Sequence, residues 1–292
     1  MTKYLKRFTQ HADFVNFRGG GEYLVPNVSV CANENEAHYN PYYDPILKFT
    51  AEQANSTIKL NRVGTATTLL KNASLQYSLD NGETWNDYTY TEQQTTNSSG
   101  ETVTVGYSGQ TITLENVGDS VKFKGINEKF ATYVGGGKYD YHRFFMRGKI
   151  AASGDITSLF NEVGGDIEIP GWACYVLFQY CGSLTKAPNL PSTSLNPGCY
   201  YRMFESCGLE TAPELPALKT VEQCYYAMFL NCSNLKYVKA LFVEITGNNS
   251  LYGILGGRVN ANGTFVYNPN AWDEETIRSA VSIPSGWTFE AA

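Results

Sequence analysis

Between residues 174 and 241 one pattern of residue types returns at a fixed interval. Cys174-Tyr175-Val176-Leu177-Phe178-Gln179-Tyr180-Cys181 is followed by Cys199-Tyr200-Tyr201-Arg202-Met203-Phe204-Glu205-Ser206-Cys207, then by Cys224-Tyr225-Tyr226-Ala227-Met228-Phe229-Leu230-Asn231-Cys232. The leading cysteine recurs after 25 residues and after 25 again. Each copy continues into a leucine and a short strand: Leu184 to Leu190-Pro191, Leu209 to Leu215-Pro216, and Leu235 to Leu241, the last without prolines. A unit this short cannot bury its own apolar edge, so neighbouring copies must stack and bury one another's. Stacking at roughly 5 Å, the strand-to-strand spacing, places Phe178, Phe204 and Phe229 in one interior column and Leu184, Leu209 and Leu235 in another. Each such side chain contributes about 1.5–3 kcal/mol by burial.

Three coils leave two open ends that need covers. Residues 156–169, with Leu159 and Phe160, are expected to cap the first coil. At the far end the sequence predicts a helix N-capped by Asn270 and running to Val281, with Asp273, Glu274 and Glu275 in its first turn, where acidic groups suit the helix dipole. Ile283-Pro284-Ser285-Gly286-Trp287 then closes the chain.

Six of the seven cysteines belong to the repeat. Their pair spacings of 7 and 8 residues do not match the two-to-four-residue knuckles of structural zinc sites. They read instead as small buried hydrophobes at ladder positions. Disulfides between successive coils are within reach by distance, but a chain made in a reducing cytoplasm keeps its thiols reduced. The repeat's tyrosines, Tyr175, Tyr200, Tyr201, Tyr225 and Tyr226, are the candidate surface-contact residues, suited to sugar rings or protein. The competing reading packs them between coils.

Two other textures precede the repeat. Residues 46–150 alternate apolar and polar positions (Leu47 and Phe49, Ile58 and Leu60, Leu75, Tyr77 and Leu79, Val103, Val105 and Tyr107, Val121 and Phe123), with turns at Asp80-Asn81-Gly82, Ser98-Ser99-Gly100 and Asn116-Val117-Gly118-Asp119. Half-buried strands at such intervals predict an Ig-like β-sandwich. Ser78-Leu79-Asp80-Asn81-Gly82-Glu83-Thr84-Trp85 resembles the Asp-box hairpin of sialidases and other β-proteins, a turn device in which Asp80 and Gly82 shape the loop and Trp85 packs beneath. Residues 1–45 carry a short helical pattern, a Gly19-Gly20-Gly21 break, and a hairpin-like segment from Leu24 to Pro41. A lone hairpin is marginal in water, so this segment is expected to lie against something else. The fold class is thus mainly β and multidomain: an N-terminal anchor at 1–45, a sandwich at 46–150, and a capped repeat solenoid at 151–292.

Composition narrows the function. Charged residues are 17% of the chain and tyrosines number 21, so the surface is built from Tyr, Asn, Ser and Thr, which suits contact better than steering. A net charge of −6 argues against gripping nucleic acid. No apolar run reaches the length of a signal peptide or a membrane span, so the chain is expected to remain where it is made or to leave by lysis, without membrane insertion. His11, His38 and His142 are scattered, and no metalloprotease, nucleophile-elbow or phosphate-loop motif occurs. Asp166 and Glu168 are a carboxylate pair of the ordinary strand-edge kind. No cofactor, metal or catalytic residue is assigned, and the chain is expected not to be an enzyme.

The Cys-Tyr-Tyr-x-Met-Phe-x-x-Cys…Leu…Ala-Pro-x-Leu-Pro pattern resembles the BspA-like (treponemal-type) leucine-rich repeats of Bacteroidetes proteins and their phages, and its period lies in the leucine-rich-repeat range. The ending Gly263-Thr264-Phe265…Ile283-Pro284-Ser285-Gly286-Trp287-Thr288 and the stretch Gly118 to Gly125 are similar to segments that accompany those repeats. Separately, Pro26, Asn27, Val28, Ser29 and Val30, followed by His38, Tyr39, Asn40 and Pro41, resemble a leader in structural proteins of Bacteroides-infecting tailed phages, including crAss-like phages; Val30 stands where an aromatic is more usual. What this resemblance implies is a virion protein, a head fibre or tail-associated appendage. Those nine residues would fasten it to capsid or other virion proteins, and its outer domains would meet host glycan or protein. Fibres multiply weak contacts through avidity, so a homodimer or homotrimer is implied. The rivals are a bacterial surface adhesin, which would need an export signal, and a glycan depolymerase.

Overall fold

The computed structural model describes residues 43–64, 70–135, 138–281 and 283–292, together with the backbone of four short N-terminal strands, Asp13–Asn16, Glu22–Val25, Val28–Ser29 and His38–Tyr39. The fold is mainly β, with several sheets. No helix among the described residues is long and apolar enough to cross a membrane.

Two six-stranded sheets form the first half. One runs in the order Ala131–Gly135, Lys138–Arg147, Ser56–Val63, Thr102–Gly109, Tyr90–Thr96, with Ile112–Leu114 also paired to Ser56–Val63. The other runs Leu184–Lys186, Ile150–Ser153, Leu47–Ala51, Ser120–Gly125, Leu75–Ser78, Asn86–Asp87. Strict alternation of buried and half-buried residues along Leu47–Ala51 and Ser56–Val63 gives each sheet one apolar face. These faces meet through Phe49, whose ring lies edge-on to Phe144 at 5.2 Å. Two expected alternations fail. Leu79 sits in the turn and Val105 on an outlying hairpin, at 55% and 46% exposure. The Asp-box turn is built as its residues suggest: the Asp80 carboxylate accepts from Ser78 Oγ (2.6 Å), Thr84 N (2.9 Å) and Thr84 Oγ1 (2.5 Å). Asn81 and Gly82 take positive φ, while Trp85 is half-buried under the Lys124 ammonium.

The repeats stack, and their backbone is a chain of turns rather than of strands. Within the first coil, Leu177, Gln179 and Cys181 donate N–H to the carbonyl three residues back. The residues between them, Cys174, Val176, Phe178 and Tyr180, donate to Cys199, Tyr201, Met203 and Glu205 of the next coil. Alternate donors thus bond within and between coils, satisfying the buried backbone without helix or sheet. The geometry requires a left-handed residue at every fourth position: Trp172, Val176 and Tyr180, then Gly198, Arg202 and Ser206, then Gln223, Ala227 and Asn231. Asn249, Gly253 and Gly257 continue the series and reveal a fourth coil, absent from the sequence expectation. Its backbone accepts from the third: Tyr225, Ala227 and Phe229 donate to Ser250, Tyr252 and Ile254.

This register corrects the sequence alignment. Left-handed positions advance by 26 residues from the first coil to the second (172 to 198) and by 25 to the third (198 to 223). Cys174 therefore occupies the place of Tyr200, not of Cys199, and Tyr175 stands on Tyr201. The phenylalanine column holds: Phe178, Phe204 and Phe229 are buried and nearly parallel, with centroids 5.5 and 5.9 Å apart. It also extends backwards, because Phe144 stacks on Phe178 at 5.0 Å. The expected cap at 156–169 does abut the first coil, donating Ile156 N–H to Asn189 O and Ile169 N–H to Ser194 O while Phe160 packs edge-on against Phe130; on the turn face the strand that carries Phe144 shares the covering. The expected boundary between 150 and 151 falls at the start of Ile150–Ser153, which pairs antiparallel with Leu47–Ala51 and parallel with Leu184–Lys186. One apolar core runs through both halves.

At the far end Tyr237–Ala240, Gly263–Tyr267 and Trp287–Ala291 form a parallel sheet. Helix Glu274–Val281 buries Ile277 and Val281. Its cap is Asp273, not Asn270: Asp273 Oδ1 accepts from Thr276 N at 2.7 Å.

Candidate functional site

The second and third coils each carry two neighbouring tyrosines, and the turn geometry sends them in opposite directions. Tyr200 and Tyr225 point inward, at 1% and 0% exposure, and stack at 5.8 Å beneath Phe242. These two are corrected as surface-contact candidates, since a ring sealed in the core meets no ligand. Tyr175, Tyr201 and Tyr226 point outward and are half-buried.

The outward rings form one continuous ladder. Tyr139 lies on Tyr175 (4.6 Å), Tyr175 on Tyr201 (5.2 Å), Tyr201 on Tyr226 (4.6 Å) and Tyr226 on Tyr252 (5.2 Å), all within 24° of parallel. Trp172 and Tyr133 flank its start. Since each face is covered by the next ring, the ladder offers ring edges and hydroxyls along its length; the uncovered tip is Tyr252, 63% exposed. Burial and the neighbouring phenols push Tyr175 up to about 12, so this ring is uncharged at neutral pH.

A polar row runs beside it. Arg143 Nη1 donates to Gln179 Oε1 (3.4 Å), Gln179 Nε2 to Glu205 Oε2 (2.6 Å), and Arg202 Nη1 reaches the same carboxylate oxygen at 3.4 Å. Gln179 and Glu205 are buried. Between row and ladder lies a shallow recess of about 240 Å³ lined by Tyr141, Tyr175, Val176, Gln179, Tyr201 and Arg202. The sequence reading missed Tyr139 and Tyr252 as well as the whole polar row. Tyr252 was findable, because it follows Tyr226 by 26 residues; Tyr139 lies on a sandwich strand with no periodic signal.

The other singled-out groups are structural. The six repeat cysteines are free thiols buried to 4% exposure or less. Cys181, Cys207 and Cys232 each direct Sγ at a phenylalanine carbonyl one rung earlier, Phe144, Phe178 and Phe204, at 3.0–3.1 Å. Phe178 O and Phe204 O already accept the N–H of Cys181 and Cys207, so the Cys207 and Cys232 thiols add a weak second donor, which explains cysteine here better than volume alone. Burial pushes Cys181 and Cys232 up to about 12, far from a reactive thiolate. Asp166 and Glu168 accept from Thr193 and Asn196 of the next coil. Asp155 joins Tyr43, Asn189 and Gly165 in a partly buried knot. Of the N-terminal candidates, Pro26, Asn27, Val30, Asn40 and Pro41 lie outside the described residues; Val28 and Ser29 pair with Tyr39 and His38.

Comparison with protein-family models, with curated proteins and with solved structures finds no match for this chain.

Proposed function

We propose that this chain is a non-enzymatic virion protein of a tailed bacteriophage, a head-fibre or tail-associated appendage whose repeat face contacts the host surface. The observation that carries the contact role is the outward ladder from Tyr139 to Tyr252, an aromatic strip spanning every coil. Amphipathic rings held rigid by stacking lose little entropy on binding, which favours their use as contact residues. The virion assignment rests on the resemblance of residues 26–30 and 38–41 to a phage leader. In this reading those residues dock on capsid or other virion proteins, the paired sheets are an Ig-like sandwich, and the coils are a BspA-like leucine-rich-repeat solenoid. The inert burial of the thiols and of His142 is consistent with a contact role rather than catalysis.

Deleting residues 1–45 tests the anchor. Particles assembled with the shortened chain are expected to lack it, and its retention would defeat the assignment. The same ladder suits a bacterial surface adhesin, and finding the chain in cell envelopes rather than in purified particles would favour that reading.

A further inference from the structure

We propose that the recess between Tyr141, Tyr175, Gln179, Tyr201 and Arg202 binds a carboxylate-bearing sugar of an acidic polysaccharide. The inference rests on the contact reading above and adds the ligand's chemistry.

The polar row holds two guanidiniums and one carboxylate: Arg202 pairs with Glu205, Glu205 also accepts from Gln179, and Arg143 meets only the Gln179 amide oxygen. Arg143 forms no ion pair among the described residues, while its guanidinium rests over the rings of Phe145 and Tyr180 at 4.6 and 5.5 Å. The Nε of Arg143 and the Nε of Arg202 are both buried without a hydrogen-bond partner among the described residues. An arginine takes a carboxylate through a planar fork, and Nε with one terminal nitrogen is one such fork. The Nε donor is thus the one left over on both residues. Arg143 shares a strand face with Tyr141, two residues away, and reaches the recess through Gln179, which lines it. A carboxylate entering there would satisfy donors that the described residues leave unmatched.

The rest of the ligand follows from the ladder. Its ring faces are taken by one another, so a sugar meets phenol edges and hydroxyls, which bond to sugar hydroxyls instead of stacking under them. The rungs repeat every 4.6–5.2 Å. An extended pyranose chain advances by a similar distance per sugar, so one acidic residue in the recess lets its neighbours track the ladder.

The test uses the full chain with oligogalacturonate against neutral dextran of matched length, and free glucuronate against glucose, read by calorimetry and ligand-observed NMR. The acidic ligand of each pair is expected to bind at least tenfold more tightly. Arg143→Gln should abolish the preference with an unchanged melting temperature. Arg143→Lys keeps the charge, removes the fork, and should lose most of the preference; it also serves if the glutamine variant melts early. Equal binding of acidic and neutral sugars, binding of neither, or an undiminished preference in both variants would overturn the proposal. Host-cell adhesion that persists without any uronate preference removes this inference alone, whereas a chain absent from particles removes the virion reading and leaves the recess chemistry intact.

Discussion

Phe144 and Phe178 lie ring over ring, 8° from parallel, although the first belongs to a sandwich strand and the second to the opening turn coil. Phe144 also donates its backbone N–H to Leu177 O at 2.8 Å, the same kind of bond that joins one coil to the next. The sandwich therefore supplies the rung beneath the first coil, in both backbone and side chain.

Residues 151–292 alone should accordingly lack a cooperative melting transition, because the first coil would expose Phe178 and its carbonyl ladder. In the full chain, Phe178→Ala should cost about 3–5 kcal/mol, and circular dichroism and tryptophan fluorescence should melt together. Independent transitions for the two halves would contradict the shared core.

Gly198 and Gly253 separate two effects of a left-handed position. Both have φ near +65°, but a Cβ on Gly198 would meet the Trp172 ring at 2.6 Å, whereas on Gly253 it would touch only Ala227 at 3.9 Å. Gly253→Ala should cost about 1–2 kcal/mol, the backbone penalty alone. Gly198→Ala should cost distinctly more and disturb Trp172 fluorescence. Denaturant titrations giving equal losses would refute the steric account.

His142 is 1% exposed, accepts Ala73 N–H on Nε2 (3.1 Å), and is pushed down to about 3 by burial. Its folded value lies below the unfolded 6.5, so the neutral ring contributes stability that is present above pH 6.5 and lost as pH falls toward 3, by about 1.4 kcal/mol per unit. Denaturant midpoints at pH 7.5 and 4.5 should differ less in His142→Gln than in the parent. Parallel pH profiles would exclude the ring as the source.

The six repeat thiols should resist iodoacetamide at pH 8 until the chain unfolds, as peptide mapping would show. Cys207→Ser keeps the second donor to Phe178 O and should be tolerated better than Cys207→Val, which leaves that carbonyl only the Cys181 N–H. A valine variant as stable as the serine one would show that volume, not the S–H donor, selects cysteine.

The stacking of coils was legible because Phe178, Phe204, Phe229 and the leucines repeat as residue types. The fourth coil was not, since Ser250, Leu251 and Leu255 replace cysteine, tyrosine and phenylalanine with residues that fill the same columns under other names. Phe144 escaped notice for a related reason: it reads as an ordinary strand residue, and only three-dimensional register makes it a rung. The one-residue slip at Cys174 and the mistaken direction of Tyr200 and Tyr225 share a cause. Adjacent tyrosines look alike in sequence, and which faces inward depends on the left-handed positions, nine of twelve of which are not glycine and so give no signal. The polar row joins residues 143, 179, 202 and 205, brought together only by stacking.

On the turn face of the stack every inter-coil bond has its N–H in the earlier coil and its carbonyl in the later one. The peptide dipoles on that face consequently add head to tail, as they do along a helix. The molecule acquires an electrical polarity with its negative pole at the sandwich and its positive pole at the last coil, whatever side chains decorate the two ends.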